Sequence, residues 1–423
     1  MRCPIVQFAF AFAVFLPLTA SAENWPHWRG DGGNGVSLTA KPPVRWSATE
    51  NVKWKAAVPG RGSGSPVVWE DQVFVVSAVP QGGADQPRGR GSLPTLAFVV
   101  ISYDRESGKI RWQQTATVAK PHQGTHATNG FSSASPCTDG KHLYAHFGSR
   151  GLFCYTLDGK PVWKREFGEM NTRNSFGEGS SPTLVGDKIL VPWDHEGPSA
   201  LYCLDKASGK TIWKVDRDEP TNWSTPLVVE HGGKQQVVLN GQNFARAYDL
   251  ETGKELWRCG GQTDRPAASA VSGSDLVFVG SGFRGSYLGA FRLDGQGDIG
   301  GTKHVAWSVD QNTPDIASPL LSGNRLYFYK GKTGLLTCVN ATDGKPHYAA
   351  ARIPGLSSIY ASPIAANGHV YLTDRSGTTT VIKDADQVEV VASNSVGETV
   401  DATPAPVDNQ LFIRGEQHLF CIE

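Results

Sequence analysis

The chain is predicted to be an all-β, eight-bladed β-propeller, and three observations carry that prediction. A Ser or Thr followed by Pro, once by Ala, recurs eight times: Ser65-Pro66, Ser135-Pro136, Ser181-Pro182, Thr225-Pro226, Ser269-Ala270, Ser318-Pro319, Ser362-Pro363 and Thr403-Pro404. The second residues stand 70, 46, 44, 44, 49, 44 and 41 positions apart, and a period near 44 suits four short strands per copy. A turn of the form Asp-x-x-Ser/Thr-Gly-Lys-x-x-Trp recurs within the copies. Finally, the eighth copy ends at Glu423 after three strands, and its missing fourth strand stands at the other end of the chain as Val52-Lys53-Trp54-Lys55.

Each element follows from local pattern. The third copy reads SSPTLVG, DKILVPW, ALYCLD and KTIWKV, four short β-rich runs bounded by Gly, Asp and Pro. The third and fourth runs are joined by the recurring turn, as in Asp104 to Trp112, Asp205 to Trp213 and Asp249 to Trp257. Its Gly supplies a positive φ and its Asp caps the turn backbone. Trp112, Trp163, Trp213, Trp257 and Trp307 then fall once per copy on the fourth strand, with Tyr348 in the sixth copy and no aromatic in the seventh, around Val390. Rings so placed wedge between blades and bury about 150–250 Å² each. Pairing the first strand with the last closes the ring and removes an open sheet edge. Residues 52–423 are thereby used up by one propeller domain.

Residues 23–51 lie outside the repeat, and their Gly-rich NWPHWRGDGGNG is expected to strap irregularly across the ring through Trp25 and Trp28. Residues 80–95 are an insertion between strands two and three of the first blade and account for the 70-residue gap. Residues 1–22 read as a signal peptide: Arg2, an apolar run from Ile5 to Leu18, and Ala20-Ser21-Ala22 before Glu23. The apolar run is too short for a membrane span and nothing later resembles one. A soluble, periplasmic or secreted monomer is expected. Forty basic and forty acidic residues balance, which argues against a nucleic-acid partner. Six cysteines follow the signal segment. Cys154, Cys203, Cys338 and Cys421 repeat at one third-strand position on separate blades, beyond the roughly 7 Å reach of a disulfide, so buried thiols are expected.

Strand order puts the loops entering each first strand on the same face as the loops between strands two and three. Arg61, Asn129, Glu178, Asn222, Trp223, Asp264, Arg265, Asp315, Tyr360, Glu398 and Asp401 should therefore converge on one funnel, with His122 and His126 further back. The strand two–three loops add Arg150, His195, Glu196, Arg284, Lys330, Arg375 and Arg414. Polar groups converging on a concave mouth mark a binding site. The alternative is that they are ordinary polar loops.

The repeated Ser-Pro pairs and Asp-x-x-Ser/Thr-Gly-Lys-x-x-Trp turns resemble the pyrroloquinoline-quinone (PQQ) repeat propellers over about residues 52–423. NWPHWRG, THATNGFSSASP and FGEGSSP are similar to exported propellers of planctomycete bacteria. The resemblance implies one of two functions. In quinoprotein alcohol dehydrogenases an axial site holds PQQ and calcium through Glu and Asn, with an Asp base and an Arg nearby. Glu178, Asn222, Asp264 and Arg265 come in that order here, which would make Glu178 and Asn222 calcium ligands, Asp264 the base and Arg265 a quinone contact; hard oxygen donors suit calcium. Asn129, Trp223, Asp315 and Asp401 would complete the cofactor pocket. The chain departs from that pattern in lacking an adjacent Cys-Cys pair, a cytochrome C-x-x-C-H motif and long loops. In BamB-type assembly proteins the same fold is a non-catalytic scaffold, although no lipid-acceptor Cys stands at the cleavage point here. The leading expectation is a non-catalytic binding protein that docks a protein, peptide or glycan in its funnel, with the PQQ- and calcium-dependent dehydrogenase as the alternative.

Overall fold

The computed structural model describes residues 23–83, 93–273 and 275–423. The segment expected to be a signal peptide and most of the first-blade insertion lie outside these residues. Eight separate sheets carry the predicted four antiparallel strands each, with no α-helix among the described residues. Val52–Ala57 pairs with His418–Ile422, bringing Trp54 opposite Cys421, so the first propeller strand completes the last blade as expected.

What joins the blades at the axis is a closed ring of hydrogen bonds made by the repeated Ser and Thr residues. The backbone N–H of Ser65 donates to Ser135 Oγ at 2.9 Å, Ser135 to Ser181 at 2.9 Å, Ser181 to Thr225 at 3.1 Å and Thr225 to Ser269 at 2.8 Å. Ser269 donates to Ser318 at 2.8 Å, Ser318 to Ser362 at 3.0 Å and Ser362 to Thr403 at 3.1 Å. Thr403 returns to Ser65 at 2.9 Å. The following proline disfavours the helical region for the residue before it, so each Ser or Thr is held extended with its N–H and hydroxyl facing neighbouring blades. Blade five keeps the ring with Ser269 although Ala270 replaces the proline.

A second ring lies further out. Each indole reaches into the next blade: Trp54 Nε1 donates to Arg105 O, Trp112 to Leu157 O, Trp163 to Lys206 O, Trp213 to Leu250 O and Trp307 to Ala341 O, all at 2.8–3.1 Å. The turn glycine of that next blade lies flat on the ring. Gly209 has φ 68°, and a Cβ there would stand 2.7 Å from Trp163, so the position needs glycine for both conformation and space. The residue across from the ring is small, which accounts for the repeating cysteines: Cys154 faces Trp163, Cys203 faces Trp213 and Cys338 faces Tyr348. All six described cysteines are free and buried, and burial pushes Cys154, Cys203, Cys338 and Cys421 up to about 12.

Two blades depart from the pattern. Trp257 is fully buried, and its Nε1 donates to Gln236 Oε1 of its own blade at 3.1 Å; Gln236 Nε2 then reaches Leu293 O of blade five at 2.8 Å. The Gly297–Asp298 segment adds a fifth, parallel strand beside Trp257 and Arg258. In blade seven the register puts Ala392, not Val390, at the aromatic position. There Trp46 comes from the N-terminal segment instead, packing into the cluster of Tyr371, Val381, Leu411 and Phe420 between blades seven and eight, with its backbone N–H on Asn394 Oδ1 at 2.9 Å.

The segment before Val52 runs across the axis. Trp25 exchanges backbone hydrogen bonds with Val68 of blade one, and Thr138 of blade two donates to Pro26 O. Asn34 exchanges two hydrogen bonds of 3.1 Å with Ser272 of blade five, and Val36–Ser37 pairs with the inner strand of blade seven. Trp28 is left pointing up against the hydroxyl ring, its Nε1 3.4 Å from Thr403 Oγ1.

Ser318 is buried in the ring and separates its two requirements. Ser318→Ala strands the Ser269 N–H and should cost about 1–3 kcal/mol in urea unfolding, whereas Ser318→Thr keeps the hydroxyl that the ring already draws from Thr at Thr225 and Thr403 and should cost less than Ser318→Ala.

Candidate functional site

Above the hydroxyl ring opens a funnel of about 430 Å³, within the range of small-ligand pockets. Trp28 forms its floor, and Ser65, Ser135, Ser181, Thr225, Ser362 and Thr403 border it. Its walls carry the half-buried rings of Phe176, Trp223, Phe283 and Tyr360, together with Arg265, Lys332, Asp315 and Asp401. The Trp223 ring is fixed by Nε1–H donating to Gly177 O at 2.7 Å.

The charged groups differ in how they are held. Arg375 grips Asp401 with Nε at 2.6 Å and Nη2 at 3.3 Å, while its guanidinium carbon lies 4.8 Å from the Tyr360 centroid. Arg265 is stacked instead of paired: its guanidinium carbon is 3.4 Å from the Phe283 centroid and 5.1 Å from Phe176. Its Nε has no hydrogen-bond partner among the described residues. Its backbone sits at φ 54°, a left-handed conformation uncommon outside glycine and concentrated at functional sites. Asp315 is buried and its nearest cation, Lys332 Nζ, is 4.0 Å away. Burial raises the carboxyls of Asp315 and Asp401 above the ordinary range, against the opposing pull of the nearby cations.

The segment 120–130 arches over the mouth. Asn129 ties it down, its Nδ2 donating to Phe176 O at 2.9 Å and its Oδ1 accepting from Ser133 Oγ at 2.6 Å. His126 meets Phe176 edge to face at 4.9 Å, and Thr128 Oγ1 donates to Tyr360 OH on the far wall at 3.2 Å.

The candidate residues therefore part into two groups. Asn129, Trp223, Arg265, Asp315 and Asp401 line the funnel. Glu178 and Asn222 border a much smaller cleft of about 40 Å³ behind Trp223. Glu178 accepts from Ser149 N at 2.6 Å and from the Ser149 hydroxyl, and burial raises its carboxyl. Asn222 is buried with Nδ2 on Asp194 Oδ2 at 3.1 Å and on Asn240 O, and with Oδ1 on Ser224 N at 2.9 Å. Asp194 is itself held by the fully buried Arg217, whose Nε and Nη2 reach it at 2.9–3.2 Å. Asp264 lies at the rim, 3.8 Å from Arg284.

Other loop residues brace loops within a blade or between neighbouring blades. Arg61 lies 3.5 Å from Glu416, Glu398 holds His418 at 2.7 Å, Glu196 accepts from Thr221, and His122 reaches Met170 O at 2.7 Å beside Arg150. His195 N donates to Ser199 Oγ at 2.9 Å, and Arg414 is buried against Gly415 O. The funnel lysine is Lys332, not Lys330. Trp28, Phe176 and Phe283 are the wall residues that loop polarity could not find; a signal for them is an aromatic immediately beside the polar loop tip, as in Phe176-Gly177-Glu178.

Calcium and PQQ can be tested against this donor set. Calcium takes six to eight oxygen ligands, yet both Glu178 oxygens and the Asn222 amide are already engaged by protein donors and acceptors. Among the described residues no three His, Cys, Asp or Glu side chains converge. As placed, Glu178 and Asn222 are held by Ser149, Asp194, Asn240 and Ser224.

Comparison with known proteins agrees with the architecture. The family model described as outer membrane protein assembly factor BamB matches residues 29–191 and 156–390. The chain belongs to this PQQ-repeat propeller family. It is 26% identical over 293 residues to the tetrathionate hydrolase of Acidithiobacillus ferrooxidans, covering 65% of this chain and 53% of that protein. It thus spans about half the length of that relative. It is 24% identical over 286 residues to BamB of Burkholderia pseudomallei, covering 64% and 62% of the two chains. The quinohemoprotein alcohol dehydrogenase of Comamonas testosteroni superposes with a TM-score of 0.61 at 10% identity, over 94% of this chain and 80% of that one, a likeness of fold alone. Among the described residues no helix is long and apolar enough to cross a membrane.

Two outcomes follow. Millimolar calcium should leave the melting temperature of the wild type and of Glu178→Gln unchanged within about 1 °C; a calcium-dependent rise lost in Glu178→Gln would put an ion there. Asp315 has a folded pKa above its unfolded value, so its ionisation costs stability once the pH passes the ordinary carboxylate range, and the cost vanishes below it. Asp315→Asn should therefore gain stability relative to wild type as pH rises from about 4 toward 7. A relative loss over that interval would contradict the assignment.

Proposed function

We propose that this chain is an exported, non-catalytic docking protein that takes a segment of a partner polypeptide into its central funnel. One observation carries this reading: Glu178, Asn222 and Asp401 are committed to holding loops and blades, while Phe176, Trp223, Phe283 and Tyr360 keep half-exposed faces around the cavity. Aromatic faces supply large contact area at low entropic cost, and a rigid ring presents them without rearrangement. Similarity to an outer-membrane assembly factor supports a protein partner, although fold by itself does not define function.

The dehydrogenase alternative is tested directly. Purified mature chain given PQQ, calcium, a primary alcohol and an artificial electron-accepting dye should show no dye reduction above that of PQQ and calcium alone. Sustained turnover that depends on the protein would replace docking with catalysis.

A further inference from the structure

On one wall of the funnel stand a cation with a buried N–H that the protein leaves unpaired, Arg265, and a carboxylate held only by a long ion pair, Asp315. Arg265 Nε has no partner among the described residues, and the guanidinium is fixed between Phe176 and Phe283 instead of being drawn to an acid. Asp315 is buried with only Lys332 Nζ at 4.0 Å. A buried N–H without a partner is costly, and a ligand that accepts from it removes that cost. Lys332 also lines the cavity, and Asp401 is already held by Arg375, so Arg265 and Lys332 face Asp315 as two cations against one carboxylate. The wall attracts negative charge, but Asp315 asks for an N–H or O–H donor beside it. A plain polyanion meets the first demand and is repelled by the second. A polypeptide carrying an acidic residue meets both, with a carboxylate on Arg265 in fork geometry and a backbone N–H toward Asp315. The aromatic faces then receive a neighbouring apolar or aromatic side chain.

Resting on the docking role above, we propose that the funnel recognises an acidic, aromatic-containing peptide segment, anchored by its carboxylate on Arg265. The test uses fluorescein-labelled random copolymers of Glu and Tyr and of Lys and Tyr, with labelled dextran sulfate as a peptide-free polyanion, in anisotropy titrations of the mature chain. The Glu–Tyr copolymer should bind, weaken at least about tenfold in Arg265→Gln and recover in part in Arg265→Lys, while the other two probes bind at least about tenfold more weakly. Unchanged melting temperatures show that the variants are folded. Equal binding of both copolymers, abolished by Trp223→Ala, would overturn the acidic anchor while leaving peptide docking intact. Equal binding of dextran sulfate, or no effect of Arg265→Gln, would likewise overturn it. Failure of every probe would remove both the anchor and the docking role.

Discussion

Everything in this molecule hangs on the closed circuit in which eight backbone N–H groups each donate to the hydroxyl of the next blade, from Ser65 round to Thr403 and back. Each link is worth about 1 kcal/mol net. Eight of them rival the roughly 5–15 kcal/mol by which a whole domain is stable. The same residues end where the funnel begins, so the device that closes the propeller also forms the lower boundary of its binding cavity. Ligand-facing groups are thus mounted on the most constrained part of the chain, and Trp28 blocks the axis beneath them.

Outside this ring, the blades are registered by indoles pressed onto glycine turns. The arrangement tolerates local repair. Where blade five lacks the usual turn, Gln236 relays the hydrogen bond from Trp257 to Leu293. Where blade seven lacks an aromatic, Trp46 arrives from the N-terminal segment. One repair uses a polar side chain of the same blade and the other an aromatic from the N-terminal segment, and both keep adjacent sheets packed without demanding an identical repeat.

The propeller was legible in the sequence because period, turn chemistry and the transposed Trp54 strand are all local signals. The repairs were not, since neither Gln236 nor Trp46 occupies a repeat position. The site was legible only as a face. Strand order correctly gathers Arg265, Asp315, Asp401 and Trp223, but it cannot tell a loop residue that looks into the funnel from one that turns back to brace a blade. Glu178 turns to Ser149 and Asn222 to Asp194 because those partners lie in adjacent loops, a matter of rotamer and neighbour rather than of order along the chain. Relatives of this chain are named both as dehydrogenases and as an assembly factor, so fold alone does not set the role.

The ring is tested most directly by amide hydrogen exchange resolved to single residues under native conditions. A cooperative circuit predicts that the amides of Ser65 and Thr403, which join the two ends of the propeller, are protected as strongly as those of Ser181, Thr225 and Ser318, all opening only with global unfolding. Rapid exchange at Ser65 and Thr403 while the other ring amides stay protected would mean that the circuit is open at that joint, contradicting the ring as the constraint on which the rest depends.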